Sequence, residues 1–255
     1  MSPLRLFRAE IRKLTTTRMP LAFLAVLAGV GAINASLVRW GTDFDGSKAF
    51  ISTGADQQSL MAFGQNALLI CGLFGAVAGA REHTYGTAIW TFLASPRRAR
   101  AVAAQLAAVA TGGAVLGTAG ALLTAIGVSG AAVTTEFGFL VSAGGVLRVV
   151  VAAAFCGAIG AVLGAGLGVV VRNAGGAVTG VVLALMVVPP LLVQLSADAA
   201  PWVPSALATT LSGITPEAAG AERQAGVGAA LAVLVLWAVV PSVAAFVATD
   251  RRDVV

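Results

Sequence analysis

Histidine is almost missing from this chain. His83 is the only one, and it lies outside the long apolar runs, so a His-based metal site or a Ser-His-Asp triad inside a membrane has nothing to use. His83 itself reads as a solvated polar residue. Charge is scarce as well: only 11% of the residues are Asp, Glu, Lys or Arg, where a soluble domain carries roughly 25%. No carboxylate stands near the centre of an apolar run, which argues against a proton-coupled carrier, since such carriers need an ionisable relay at depth. The two cysteines, Cys71 and Cys156, both sit inside apolar runs and read as small packing residues, not as a disulfide framework. Without clustered His, Cys or acidic residues, a membrane enzyme is also disfavoured.

What is abundant is hydrocarbon. Of the 255 residues 58% are hydrophobic and the mean hydropathy is +0.92, the composition of an integral membrane protein. A net charge of +5 and a pI near 10.2 do not point to nucleic acid, because the cations form short clusters between apolar runs and not a solvated face. A hydrocarbon core about 30 Å thick needs about 20 apolar residues as a helix. Six runs meet that length, at about 20–38, 60–80, 102–128, 146–171, 175–193 and 226–248. Because the runs are continuous and not alternating, helices are expected and a barrel is not. The expected fold is therefore all-α: one polytopic domain over residues 1–255 with six transmembrane helices. The first run reads as a retained span and not as a cleaved signal peptide.

The cations orient the spans. With six crossings both termini share a side, and that side receives Arg5, Arg8, Arg12, Lys13, Arg18, Arg81, Arg97, Arg98, Arg100, Arg172, Arg251 and Arg252. The other receives Arg39, Lys48, Arg148 and Arg223. Twelve against four predicts both termini in the cytoplasm and a multi-pass protein of the cell (inner or plasma) membrane. Residues 196–225 then form an outer loop. Glycines four apart, at Gly75/Gly79, Gly113/Gly117, Gly160/Gly164/Gly168 and Gly176/Gly180, let helices approach closely, and packing within one bundle is preferred to a dedicated dimer interface.

Before the first run, residues 1–18 include "LRLFRAEIRKLTTTR". Leu4, Phe7, Ile11 and Leu14 share one helical arc, while Arg5, Arg8, Arg12 and Lys13 lie across from it. That pattern predicts a helix in the membrane interface with its cations on anionic headgroups, the plainer reading being an orientation signal alone. Between the second and third runs lies "REHTYGTAIWTFLASPRRAR". Tyr85, Ile89, Phe92 and Leu93 follow helical spacing, which predicts a short amphipathic helix over 81–95. Ser95 then caps a new helix that opens at Pro96, and Arg97, Arg98 and Arg100 are expected at the membrane surface. Such a helix either grips a moving partner or only connects two spans. Gln65, Asn66 and Gln105 are amides near span depth, with Asn34 and Gln194; they line a path or hydrogen-bond between helices. Pro189 and Pro190 free backbone carbonyls and permit a kink, and a gate is expected there.

The "FRAEIRKLTTTR" segment, the "REHTYGTAIWTFLASPRRAR" segment and six spans in about this length together resemble the membrane subunit of ATP-binding-cassette exporters of the type-2 permease family. The family's Glu, Gly-Thr, turn and Pro-x-Arg correspond to Glu82, Gly86-Thr87, Ala94-Ser95 and Pro96 to Arg98, with Gly86 spaced more widely from Glu82 than the family pattern has it. The outer "PWVPSALATTLSGITPEAAG" resembles the family's Pro-rich gate region, where short helices lie. The resemblance implies an N-terminal elbow helix, and a coupling helix over 81–95 that rests in a groove of a cytoplasmic ATPase subunit, two copies of which drive the complex. Tyr85, Ile89, Trp90, Phe92 and Leu93 would supply the apolar grip, and Glu82 with the arginines the polar rim. A second permease subunit, either a copy or a related chain, would complete the pathway. The chain itself lacks an ATPase site: in "GTDFDGSK", Gly41 to Lys48, Ser47 stands where a P-loop lysine must follow Gly46. No cofactor is expected on this chain, and ATP and Mg would be held by the partner. The expected function is a permease for an apolar or amphipathic substrate such as a drug, lipid or peptide; the alternative is an ATP-independent six-span scaffold or facilitator.

Overall fold

A computed structural model describes residues 3–84, 86, 98–216 and 223–251. Tyr85, Ile89, Trp90, Phe92, Leu93 and Arg97, and with them most of the expected 81–95 helix, lie outside the described residues, as does the 217–222 part of the outer loop. Every regular element among the described residues is helical: α1 (Pro3–Thr15), α2 (Met19–Trp40), α3 (Gly54–Met61), α4 (Gly64–Thr84), α5 (Arg98–Ala132), α6 (Ala143–Val171), α7 (Ala174–Val182), a π-helical turn (Leu183–Val187), α8 (Val188–Leu195), α9 (Pro204–Ser212) and α10 (Val227–Arg251), with 3-10 turns at Ala49–Ile51 and Ala197–Trp202. Six helical stretches, α2, α3–α4, α5, α6, α7–α8 and α10, are long and apolar enough to cross a membrane. The protein is an all-helical, multi-pass membrane protein. At 1.5 Å per residue α5 is about 52 Å long, well over the ~30 Å of hydrocarbon.

The bundle is built around α4 and α6, which have the most extensive contact in the molecule; α5 packs on α6, α2 on α5, and α10 on α6. Small residues make this contact a backbone one. A Cβ on Gly75 would lie 2.0 Å from the Ala161 carbonyl oxygen, and one on Gly164 would lie 1.9 Å from that of Gly72. Gly79 meets Ala165, Gly160 meets Leu68 and Gly168 meets Ala76 in the same way, while Gly113 and Gly117 of α5 face Gly157 and Ala153 of α6. The four-residue glycine spacing thus serves packing inside this chain. Gly176 and Gly180 meet only the side chains of Val171 and Leu167 and Asn173. Around the seam α2, α7–α8 and α10 turn apolar side chains outward, among them Leu21, Ile33, Met186, Leu191, Leu236 and Val240, as helices facing lipid do.

Breaks in the helices have local causes. The second span is interrupted at Ala62 and Phe63, where Phe63 is fully buried and the Asn34 Nδ2 of α2 donates to the Leu60 carbonyl, 3.1 Å away, supplying a partner for a carbonyl at the interruption. Thr53 and Asp56 form a capping box at the start of α3. In the fifth span Pro189 and Pro190 cannot donate backbone N–H groups and would crowd the preceding turn. The helix widens there into the π turn, with Val188 N–H reaching the Leu183 carbonyl. Between α6 and α7, Arg172 takes a left-handed conformation (φ 58°) and its N–H donates to the Gly168 carbonyl, while the Asn173 side chain accepts from Gly176 N–H at 2.9 Å.

At the end opposite α1, amides and one arginine tie the connecting segments together. Gln57, fully buried, donates to the Ile51 and Gly138 carbonyls and accepts from Leu140 N–H. Arg148 donates to the Leu211 and Thr210 carbonyls, both at 3.1 Å, and Gln58 donates to that of Ser212. These contacts place a cation on the C-terminal turn of α9, where the helix dipole favours it.

Candidate functional site

The end of the bundle that carries α1 gathers most of the polar side chains singled out from the sequence. Helix α1 docks on α5 with Leu6 and Leu14 buried and Phe7 and Ile11 packed on the main core. Arg5, Arg8 and Arg12 remain exposed on the other side. Leu4, expected on the apolar arc, is 59% exposed; Leu6, two residues on and about half a turn around the helix, takes the buried place.

Lys13, expected among the headgroup-facing cations, is instead turned toward α4. Its ammonium donates to Glu10 at 2.5 Å and to the Glu82 carboxylate. Both carboxylates are largely buried, at 12% and 13% side-chain exposure. Glu82, assigned by the family resemblance to a partner's groove, is thus engaged within its own chain. Arg81 Nη2 donates to the Lys13 carbonyl at 3.1 Å, and Gln105 of α5, itself buried, donates to the Ala78 carbonyl at 3.4 Å. The result is a polar cluster that stitches α1, α4 and α5 together just where residues 81–100 leave the second span. Arg98 Nη1 reaches the Thr249 carbonyl at 3.2 Å and joins α5 to the end of α10; Arg100 is exposed.

Electrostatics in the cluster follow from one ammonium shared by two carboxylates. Burial raises the pKa of Glu10 above its ordinary 4.5, against the lowering pull of Lys13 and with the added repulsion of Glu82. For Lys13 burial works against the charged form, but the hydrogen bonds it donates to Glu10 and Glu82 outweigh it and hold its pKa above the ordinary 10.5. A carboxyl with a raised folded-state pKa contributes its full stabilisation below the unfolded value and loses it as pH rises through the folded one. Protection of α1 amides from hydrogen exchange is therefore expected to increase as pH falls from neutrality toward 4.5, and Glu10→Gln is expected to flatten that dependence. An unchanged slope in Glu10→Gln would assign the effect to another group.

The remaining candidate path residues do not converge. Gln65 is exposed and Asn66 half-buried at the far end of α4, 13 residues or about 20 Å from the Ala78 turn that Gln105 touches. Pro189 is buried and Pro190 exposed just past the π turn. Two cavities stand out. One, of about 510 Å³, is an apolar groove between α6, the π turn and α10, lined among others by Leu167, Ala184, Trp237 and Pro241; none of Gln65, Asn66, Gln105, Pro189 and Pro190 lines it. The other, of about 410 Å³, lies beside the polar cluster and is lined by Thr17, Met19, Val77, Arg81, Thr84 and Ala174. The sequence gives Arg81 a part only among the orienting cations and gives Glu10 none, although Glu10 stands three residues before Lys13, a spacing that pairs charges on one helix face. Among the described residues, no group of three His, Cys, Asp or Glu side chains is placed to hold a metal ion. No protein-family model and no curated protein matches this chain.

Proposed function

We propose that this chain is the permease subunit of an ATP-driven exporter of the ATP-binding-cassette type-2 class, pairing with a second permease subunit and coupled to a separate cytoplasmic ATPase. In this reading both termini are cytoplasmic, α1 is an elbow at the membrane interface, and residues 81–95 form the coupling helix. The observation that carries it is the Lys13 bridge to Glu10 and Glu82. It fastens α1 to the end of α4, at the first residues of the segment that would rest on the ATPase. A push delivered to that segment would reach α4 directly, and through the α4–α6 seam the centre of the bundle. The apolar groove of about 510 Å³ favours an apolar or amphipathic cargo over a highly charged one.

The test is affinity purification of the tagged protein from its native membrane in mild detergent, beside a Phe92→Asp variant, read by mass spectrometry. A soluble ATP-binding-cassette subunit is expected with the wild type and absent with the variant, whose insertion and bundle stay intact. If no ATPase accompanies the intact wild-type protein, the exporter reading falls and an ATP-independent scaffold or facilitator takes its place.

A further inference from the structure

Tryptophan favours the ends of membrane spans, where the indole meets both hydrocarbon and headgroups. Trp40 closes α2, and Trp202 ends the 3-10 turn that follows the fifth span. Trp237 is placed differently. It stands ten residues after Val227, the first of the 25 residues of α10, about 15 Å along the helix and so near the middle of a ~30 Å hydrocarbon layer. Its Nε1–H has no hydrogen-bond acceptor among the described residues, and the nitrogen is accessible, not sealed inside the protein. Hydrocarbon offers such a donor nothing.

Trp237 lines the apolar groove of about 510 Å³ between α6, the π turn and α10. Of the nine residues in its wall only Trp237 carries a polar side-chain atom, so every other polar atom there belongs to the main chain. Two of the main-chain carbonyls in these residues have lost ordinary helical donors. Val188 N–H goes to the Leu183 carbonyl and not to that of Ala184, and the next residue, Pro189, has no N–H to give. Ala184, ten residues into the fifth span, is thus left without its i+4 or i+5 donor. On α10, Pro241 removes the i+4 donor of the Trp237 carbonyl.

An unpaired donor and unpaired acceptors at one depth are matched by a hydroxyl, which gives one hydrogen and accepts through two lone pairs. The apolar wall continues past this level both ways along α10, to Val233 and to Ala244, so the hydroxyl belongs partway along a hydrocarbon body. A phospholipid, with its polar groups at one end, leaves the groove's polar atoms unpaired. The volume lies within the range of about 300–1,000 Å³ for small-molecule pockets, and the wall is firm where Gly166 of α6 meets the Pro241 main chain.

We propose that this groove binds a hydrophobic small molecule with a hydroxyl set within its hydrocarbon body, the hydroxyl donating to a freed carbonyl of the wall and accepting from Trp237 Nε1–H. The site goes beyond the exporter reading and needs no ATPase.

The probe is diheptylcarbinol, a secondary alcohol with its hydroxyl at mid-chain. Diheptyl ketone, which accepts but cannot donate, and pentadecane, which does neither, are run beside it. Thermal unfolding of the purified full chain in detergent compares wild type, Trp237→Phe, which keeps a ring but loses the N–H, and Ala184→Phe, which fills the groove from the π turn. Diheptylcarbinol is expected to raise the wild-type midpoint by about 5 °C or more, the scale for a site held well above its dissociation constant. The ketone should raise it clearly less and pentadecane not at all. The rise should fall by at least half in Trp237→Phe and vanish in Ala184→Phe. No rise in the wild type overturns the proposal, and so does a rise that survives Ala184→Phe, which places the alcohol elsewhere. If Ala184→Phe is not recovered folded, an undiminished rise in Trp237→Phe overturns it alone. An equal rise with pentadecane overturns the hydroxyl and makes the groove a seat for lipid chains; an equal rise with the ketone removes the freed carbonyls from the site and overturns the hydroxyl as donor.

Discussion

Gly164→Ala is expected to lower the stability of the bundle by about 3 kcal/mol, the upper part of the range for overpacking, and Gly164→Leu to prevent a folded, monodisperse protein from being recovered in detergent. The reason is the nature of the neighbour. The added Cβ would lie 1.9 Å from the Gly72 carbonyl oxygen and 2.7 Å from the Ala76 nitrogen. Both are backbone atoms of α4, so no side-chain rotation can make room, and α6 must move away from α4 along its length. That movement would also open the contacts of Gly160 and Gly168 on the same face. Thermal unfolding beside Gly130→Ala separates this from a general effect of removing glycine. Gly130 has nothing within 4 Å of its ideal Cβ, and alanine there should be neutral or stabilise by up to about 1 kcal/mol. Equal midpoints for the two variants would mean that the α4–α6 contact is not as close as described.

Lys13→Glu is the second large effect expected. It replaces the shared ammonium with a third carboxylate between Glu10 and Glu82. Breaking an exposed ion pair costs about 0–1 kcal/mol and a buried one about 3–5 kcal/mol. Lys13 is 35% exposed while its partners are mostly buried, so about 2 kcal/mol is expected, spent locally on undocking α1. Hydrogen exchange should show α1 amides losing protection while those of α6 keep theirs, and the double variant Lys13→Glu with Glu82→Lys should recover part of the loss. If protection in α1 survives Lys13→Glu, Leu6, Phe7, Ile11 and Leu14 hold the helix without help from charge.

Span number and helical character follow from a single physical constraint, the thickness of hydrocarbon, and the continuous runs of Val, Leu, Ala and Gly express it directly. The role of the spaced glycines as packing residues was equally readable, but not their partners: spacing within one helix does not say which neighbour it meets. The interruption at Ala62 and Phe63 is flanked by the amides Gln57, Gln58, Gln65 and Asn66, which do not by themselves mark a break; the Asn34 amide, reaching over from α2, meets the Leu60 carbonyl there. The widened turn at 183–187 was foreshadowed by Pro189-Pro190 as a kink, though its form depends on how the backbone relaxes.

Only half of the polar cluster is legible in the sequence. Lys13 falls among the surface cations by the charge bias, which sorts residues by side of the membrane and is blind to pairing. Glu82 was carried toward a partner by resemblance, and its bond to Lys13 spans 69 residues of sequence, a contact no local pattern announces. The residues expected to grip that partner, from Tyr85 to Leu93, fall outside the described residues.

One mechanical consequence follows from the α4–α6 contact. Where two helices meet through main-chain atoms, there are no long side chains to swing aside and let one slide past the other. The pair behaves as a single stiff beam. Any large rearrangement of this bundle must leave the beam intact and be taken up by the elements around it: α2 and the widened fifth span, which bear on the beam through more yielding side chains, whereas α10 is held to α6 main chain to main chain where Pro241 meets Gly166. Those are the levers, and the beam is what they turn against.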